Sequence, residues 1–252
     1  MPSPDPRLGS IEFSPGAEEW IEYGPPNERR RVGFHDYEAL YSVPGLYERV
    51  FYDELGMRST AEVLRLYGQF LNTEELDPGR QSVLDLGAGS GIGGARLREL
   101  GVGCVVGLDL EPAAADAARR DHPGAYDDYL VGDLAGSADG LVDRLAGHRL
   151  TAVLALAAIG VGHVPIRALE QALSVVAPGG VFAFAVHPVL LPGSDDPSGR
   201  DTGYPDFLAG LLDRSEVLGR SAYVHRRRVD GTDDDAVALI ARLPGQRAGA
   251  AG

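Results

Sequence analysis

Asp85, Gly87, Gly89 and Gly91 occupy alternate positions of "VLDLGAGSGIGGARL", where an apolar run gives way to glycines and then to a helical pattern. A strand that runs through glycines into a helix brings unhindered backbone N–H groups, and a helix N-terminus, close to a ligand. Read as Gly89, Gly91 and Gly94, the stretch fits G-x-G-x-x-G and a dinucleotide site. Read with the acidic residue inside the strand, it is acidic-x-G-x-G-x-G from Asp85 to Gly91. The second register also accounts for Asp85. A bare charge in an apolar strand is expensive, so this carboxylate calls for a partner, either loop amides or a ligand ammonium.

Two further carboxylates end later apolar runs, Asp109 in "VVGLDL" and Asp133 in "YLVGDL". One carboxylate at a strand end accepts both donors of a vicinal diol, which suits Asp109. Asp133 and the backbone N–H after it suit the donor amine and adjacent acceptor nitrogen of an adenine. Taken singly, Asp85 also reads as a strand-end cap and Asp109 as a helix N-cap before Glu111-Pro112. His163 and His187 both follow predicted strands and are the candidate general bases. The plainer readings are a helix cap near Pro165 for His163 and the start of a turn for His187. No Cys, His and acidic residues recur with metal-ligand spacing, so no metal is expected. Arg226, Arg227 and Arg228 read as a solvated edge strand with one member inward; the alternative is a site for an anion.

These residues need a scaffold, and the chain alternates accordingly from about residue 82. "SVLDLG", "CVVGLDL", "YDDYLVGDL", "LTAVLALAAIG" and "VFAFAVHPV" read as strands, separated by helical stretches such as "PAAADAARRD" and "PIRALEQALSVV". That alternation predicts a doubly wound α/β fold, a mostly parallel sheet covered by helices on both faces. Glu216 to Leu243 breaks the pattern and predicts an antiparallel hairpin at the sheet edge. Asp36 to Leu71 carries aromatic and apolar residues at helical spacing, with Ser59 or Thr60 as cap of a second helix. Residues 1–34, rich in Pro, Gly and charge, read as a mobile arm, and residues 187–207 as a long polar loop.

With these landmarks in order, the chain resembles the class I S-adenosylmethionine-dependent methyltransferases over roughly residues 60 to 243. The resemblance implies a seven-stranded sheet with an N-terminal helical lid, and a division into 1–75 (arm and lid) and 76–245 (cofactor domain). It assigns the cofactor S-adenosylmethionine to Asp85, Gly87, Ala88, Gly89 and Gly91, with Asp109 and Leu110 at the ribose, Asp133 and Leu134 at the adenine, and Leu156 and Ala157 nearer the methionine. The run "HDYEALYSVPGLYERVFYDEL" is similar to the lid of small-molecule members. There an aromatic hydroxyl reaches the cofactor carboxylate, a role open to Tyr37, Tyr41, Tyr47 and Tyr52, and ring faces can stabilise a sulfonium. The fourth strand ends in "LAAIGVGHVP" and not in the Asn/Asp-Pro-Pro-aromatic signature, which disfavours methylation of an adenine or glutamine amine.

Composition sets the remaining bounds. A net charge of −14 disfavours broad neutralisation of phosphates, and with it a nucleic-acid substrate. All basic residues are Arg, so Schiff-base chemistry on a lysine is excluded, and the Arg, Ala and Gly bias suggests a GC-rich bacterial source. Cys104 has no internal disulfide partner, no run is long enough to span a bilayer, and the first residues lack a secretory signal pattern. The expectation is a cytoplasmic enzyme, monomer or homodimer, that methylates an O, N or C atom of a small molecule. The alternatives are a methyltransferase fold repurposed for another reaction or for binding alone, and a dinucleotide oxidoreductase.

Overall fold

The structure, a computed structural model, describes residues 8–14, 19–136 and 140–245. Its centre is a seven-stranded sheet built from β4 (Ser82–Leu86), β5 (Cys104–Asp109), β6 (Asp128–Val131), β7 (Ala152–Ile159), β8 (Val181–Val186), β9 (Glu216–Arg227) and β10 (Asp233–Arg242). The order is β6-β5-β4-β7-β8-β10-β9, and β10 alone runs opposite to the other six strands. The predicted sheet and its C-terminal hairpin are both present. All five side chains of β4 and all six of β8 are buried, because helices cover both faces and leave no strand face for water.

The pleat divides each central strand between two apolar layers. In β8, Phe182, Phe184 and Val186 enter the layer under α7 (Ile166–Ser174) and α9 (Tyr204–Asp213), while Val181, Ala183 and Ala185 enter the layer under α3 (Ser59–Thr73) and α4 (Ile92–Glu99). Helix α3 buries Val63, Leu64, Leu66, Tyr67 and Leu71 in that second layer, so it packs with the sheet and not with the lid it was grouped with. Ser59 and Thr60 are its first residues and do not cap it. The N-cap position is Arg58, and the Ser59 hydroxyl bonds side chains of β9. Two shorter helices, α5 (Pro112–Asp121) and α6 (Leu141–Gly147), complete the alternation.

Two further expectations fail. Of the expected arm, residues 1–7 and 15–18 lie outside the described residues; in the rest, β1 (Glu12–Phe13), β2 (Trp20–Tyr23) and β3 (Arg30–Gly33) form a small antiparallel sheet. Its strands are too short and too rich in Arg and Glu to show a period. Tertiary burial of Ile21, Tyr23 and Val32 with Leu40, Val50 and Phe51 holds them. That third core also takes in α1 (Tyr37–Ser42) and α2 (Leu46–Glu48), which continues as a wide helical turn over Arg49–Glu54. Residues 187–207 are likewise not a bare loop. They hold the turn Pro188–Leu190, α8 (Pro197–Arg200) and the start of α9. Pro at the first turn of each, with Asp196 capping α8, supplies the local signals that the Gly and Pro content obscured.

Phe182 and Phe184 stack with ring centroids 4.3 Å apart, and both are fully buried. Phe184→Ala is expected to cost about 3–5 kcal/mol of unfolding free energy, read from denaturant titration with an unchanged m-value.

Candidate active site

The parallel strands deliver their carboxyl ends to one edge of the sheet, under α1, α2 and the turn that follows α2. A cavity of about 720 Å³ lies there, reaching Asp85, Asp109 and Asp133. Open α/β sheets bind ligands at this edge, in the crevice between strands whose connections diverge.

Asp85 is 1% exposed and accepts a hydrogen bond from the Tyr126 hydroxyl at 2.8 Å. Its partner is therefore an aromatic hydroxyl and not the expected loop amides. Burial pushes its carboxyl up to about 7; the Tyr126 bond opposes this and the charge of Asp109 adds to it. Helix α4 approaches so closely that a Cβ on Gly93 would lie 2.4 Å from the Asp85 carboxylate, and one on Gly94 would strike the Tyr126 ring.

The loop after β4 is tied to β5 by Asp109, whose Oδ2 accepts the Gly89 N–H at 2.8 Å and whose Oδ1 accepts the Glu111 N–H at 3.0 Å. Burial raises the Asp109 pKa, and these backbone donors partly offset it. With the Leu110 N–H also directed at it, the carboxylate keeps a lone pair for a further donor. Gly89 has φ +53°, and a Cβ there would lie 2.8 Å from the Tyr41 hydroxyl. Tyr129 donates to the Gly89 carbonyl at 2.9 Å.

Of the residues expected at the cofactor, Asp85, Gly87, Ala88, Gly89, Asp109, Leu110, Asp133, Leu134, Leu156, Ala157, Tyr37 and Tyr41 all line this cavity. Gly91 does not. It starts α4 at φ +100°, with Ala118 of α5 close behind it. Asp133 accepts the Ala135 N–H at 2.8 Å, and the exposed Leu110 and buried Leu134 add apolar surface beside it. Sequence reasoning missed Tyr126 and Tyr129, whose spacing in "AYDDYLV" is a faint signal, and Gly93. It also missed Glu48, whose Oε1 accepts the Ser90 hydroxyl at 2.9 Å and lies 2.7 Å from His122 Nε2, fastening α2 to the glycine loop.

The Tyr37 hydroxyl, which lines the cavity, lies 3.0 Å from His163 Nε2. His163 Nδ1 lies 3.0 Å from the Val161 carbonyl, which can only accept, so Nδ1 carries the proton and Nε2 accepts from Tyr37. Burial lowers the His163 pKa; the Val161 carbonyl opposes that and His35 reinforces it. Pro165, not His163, is the N-cap of α7. A second chamber of about 190 Å³ shares Tyr37, His163 and Ala157 with the first and continues toward β9. His187 lines only this chamber, and its Nδ1 accepts the Val189 N–H at 3.2 Å at the start of the turn expected there. Arg226 also lines it, with a side chain 13% exposed, Glu19 at 2.8 Å and Asp234 at 3.8 Å. It is the inward member of its triplet, and a chamber wall where a solvated edge was expected.

The arrangement matches known proteins in sequence and in shape. Residues 84–184 match the family model of a methyltransferase domain. Residues 84–184 are thus a methyltransferase domain, and S-adenosylmethionine is its cofactor. No curated protein matches the sequence. Among solved structures, the N-methyltransferase NodS from Bradyrhizobium japonicum, complexed with S-adenosyl-L-homocysteine, aligns at TM-score 0.56 and 13% identity, over 84% of this chain and 98% of that one. A S-adenosylmethionine-dependent methyltransferase from Anabaena variabilis aligns at 0.52 and 15%, over 84% and 96%. A Pyrococcus horikoshii protein described as an RNA methyltransferase aligns at 0.52 and 15%, over 73% and 81%. At such identities the likeness is one of fold. This methyltransferase fits its cofactor chemically: carboxylates with spare lone pairs suit the diol and amine, and buried Asp85 suits an ammonium.

Because folding raises the Asp85 pKa, the unliganded fold is favoured by this group below its unfolded value and loses that contribution as pH rises through about 7. Unliganded Asp85→Asn is expected to melt above the parent at pH 8 and to lose that advantage at pH 4, as read by calorimetry.

Proposed function

We propose that this enzyme methylates a small molecule held in the chamber beside the cofactor cavity, with His163 as general base. The observation that carries the reading is that Tyr37 and His163 line both chambers and share a hydrogen bond between them. Asp85, Asp109, Asp133 and the glycine loop through Gly89 hold the cofactor, which supplies a methyl carbon activated by a sulfonium. Gly91 acts indirectly, by shaping the loop that Gly89 presents. Residues 8–14 and 19–55 are read as the lid and α3 as part of the cofactor domain, a division near residue 58 in place of 75 that the burial of α3 against the sheet supports.

The acceptor's X–H donates to the Tyr37 oxygen while the Tyr37 proton passes to His163 Nε2. The acceptor atom, O, N or C, is thereby left with the electron pair that attacks. His187 faces only the acceptor chamber, so it positions the substrate and takes no proton. A chamber of this size admits a single ring or its equivalent, since an engineered cavity of about 150 Å³ takes benzene. That size, with the net charge of −14, favours a free small molecule over a nucleic acid. Among the described residues no helix is long and apolar enough to cross a membrane. The enzyme is read as a bacterial, cytoplasmic monomer or homodimer.

Calorimetric titration with S-adenosylmethionine, S-adenosylhomocysteine and NADH is the first test, and binding of NADH alone would overturn the reading. Asp109→Ala is expected to weaken S-adenosylhomocysteine binding roughly ten- to hundred-fold, the range for charged hydrogen bonds; unchanged affinity would remove Asp109 from the site. Turnover should rise with pH through a value below the ordinary histidine range, because His163 must be neutral to accept a proton. His163→Ala is expected to abolish that limb of the pH–rate profile.

A further inference from the structure

Four of the six histidines, His35, His163, His187 and His225, line the acceptor chamber. Three of them have fixed tautomers, and the direction of each follows from its partner. His163 keeps its proton on Nδ1, as the Val161 carbonyl requires. His187 accepts a backbone N–H at Nδ1, so when neutral its proton sits on Nε2.

His225 is set by a chain of hydroxyls. Its Nδ1 lies 2.6 Å from Ser59 Oγ, which lies 2.6 Å from the Tyr223 hydroxyl. Ser59 has one proton to give. If it donated to Tyr223, the Tyr223 proton would have no other hydrogen-bond partner among the described residues, and Tyr223 is only 9% exposed. With Tyr223 donating to Ser59 and Ser59 donating to His225 Nδ1, every proton is used. The His225 proton then sits on Nε2. Burial holds this ring neutral, with its pKa pushed down to about 4; Asp234 opposes that shift, and Arg226 and His187 add to it.

The chamber is therefore polarised. At the β7 end, the Tyr37–His163 pair takes a proton. At the β8–β9 end, His225 and His187 carry N–H groups on Nε2, and that of His187 also faces Asp234 Oδ1 at 3.7 Å, beyond hydrogen-bond distance. In the order β7-β8-β10-β9, three strand spacings separate β7 from β9, roughly 14 Å. Phe34, Phe51, Met57 and Ile159 supply apolar wall between. Asp234 and Asp235 also line the far end, and Arg226 is occupied by Glu19, so a second carboxylate is unwelcome there.

Resting on the methyltransferase reading above, we infer that the chamber selects a ring-sized acceptor with a neutral carbonyl oxygen opposite its methyl-accepting hydroxyl or amine, read by His225 and His187. Ser59 is a positioning residue, because it sets which nitrogen of His225 is the donor.

The test uses four probes titrated into the full chain saturated with S-adenosylhomocysteine: para-hydroxyacetophenone, para-hydroxybenzoate, tyramine and para-ethylphenol. The ketone is expected to bind roughly ten-fold more tightly than para-ethylphenol, the scale of one or two neutral hydrogen bonds, and more tightly than either charged probe. His225→Phe is expected to erase the preference for the ketone while leaving S-adenosylhomocysteine affinity unchanged. Equal affinities, tighter binding of a charged probe, or no binding of any probe would each overturn the inference and leave the cofactor reading standing. Failure to bind S-adenosylhomocysteine would bring down both. Should His225→Phe not fold, proton–nitrogen correlation spectra of the parent decide independently. Proton on Nε2 of His225, moved by Ser59→Ala, supports the inference; proton on Nδ1 in the parent overturns it.

Discussion

A carboxylate buried at the end of the central strand is the constraint around which the rest is arranged. Asp85 cannot be left bare in an apolar layer, so Tyr126 must reach it, and α4 must present Gly93 and Gly94 where it passes. Tyr126 stands edge-on to Tyr129, whose hydroxyl holds the Gly89 carbonyl, so the ring that satisfies the carboxylate also shapes the glycine loop. Asp109 holds the same loop from its N–H side. The loop is fixed before any ligand arrives, and a preformed loop loses little freedom on binding.

The cover over this loop is more than a flap of helix. It has its own apolar core, and it is fastened at separate points: Glu48 to Ser90 and His122, Arg120 to the Tyr41 carbonyl, Tyr37 to His163 and Glu19 to Arg226. Most of these contacts are polar and partly exposed. Such contacts exchange with water more readily than the two apolar layers of the sheet, so opening is cheapest at the cover.

How far the sequence disclosed this depends on the distance over which each feature is determined. Asp85 to Gly91, Asp109 and Asp133 were legible because a strand end, a glycine turn and a helix start are written in consecutive residues. The hairpin of β9 and β10 was legible for the same reason. Tyr126 was not, because its role depends on Asp85, 41 positions earlier. The strands of residues 12–33 left no period because tertiary burial determines them, and Arg226 looked like a surface residue until Glu19 stood beside it. His163 and Tyr37 were each singled out for separate roles; only the fold brings them together from 126 positions apart.

One feature of the cover bears on how the protein survives as a folded chain. Strand β9 is the outer strand of the large sheet, and an open outer strand is a template for other chains. Near its end the Arg227 N–H donates to the Leu55 carbonyl, and the Arg58 N–H donates to the His225 carbonyl, each at 2.8 Å. The segment that leads from the roof into α3 thus occupies backbone groups that would otherwise be offered to a neighbouring molecule. Remodelling the roof for a new acceptor and keeping the protein from self-association are therefore one problem, and residues 55–58 limit how far the roof can change.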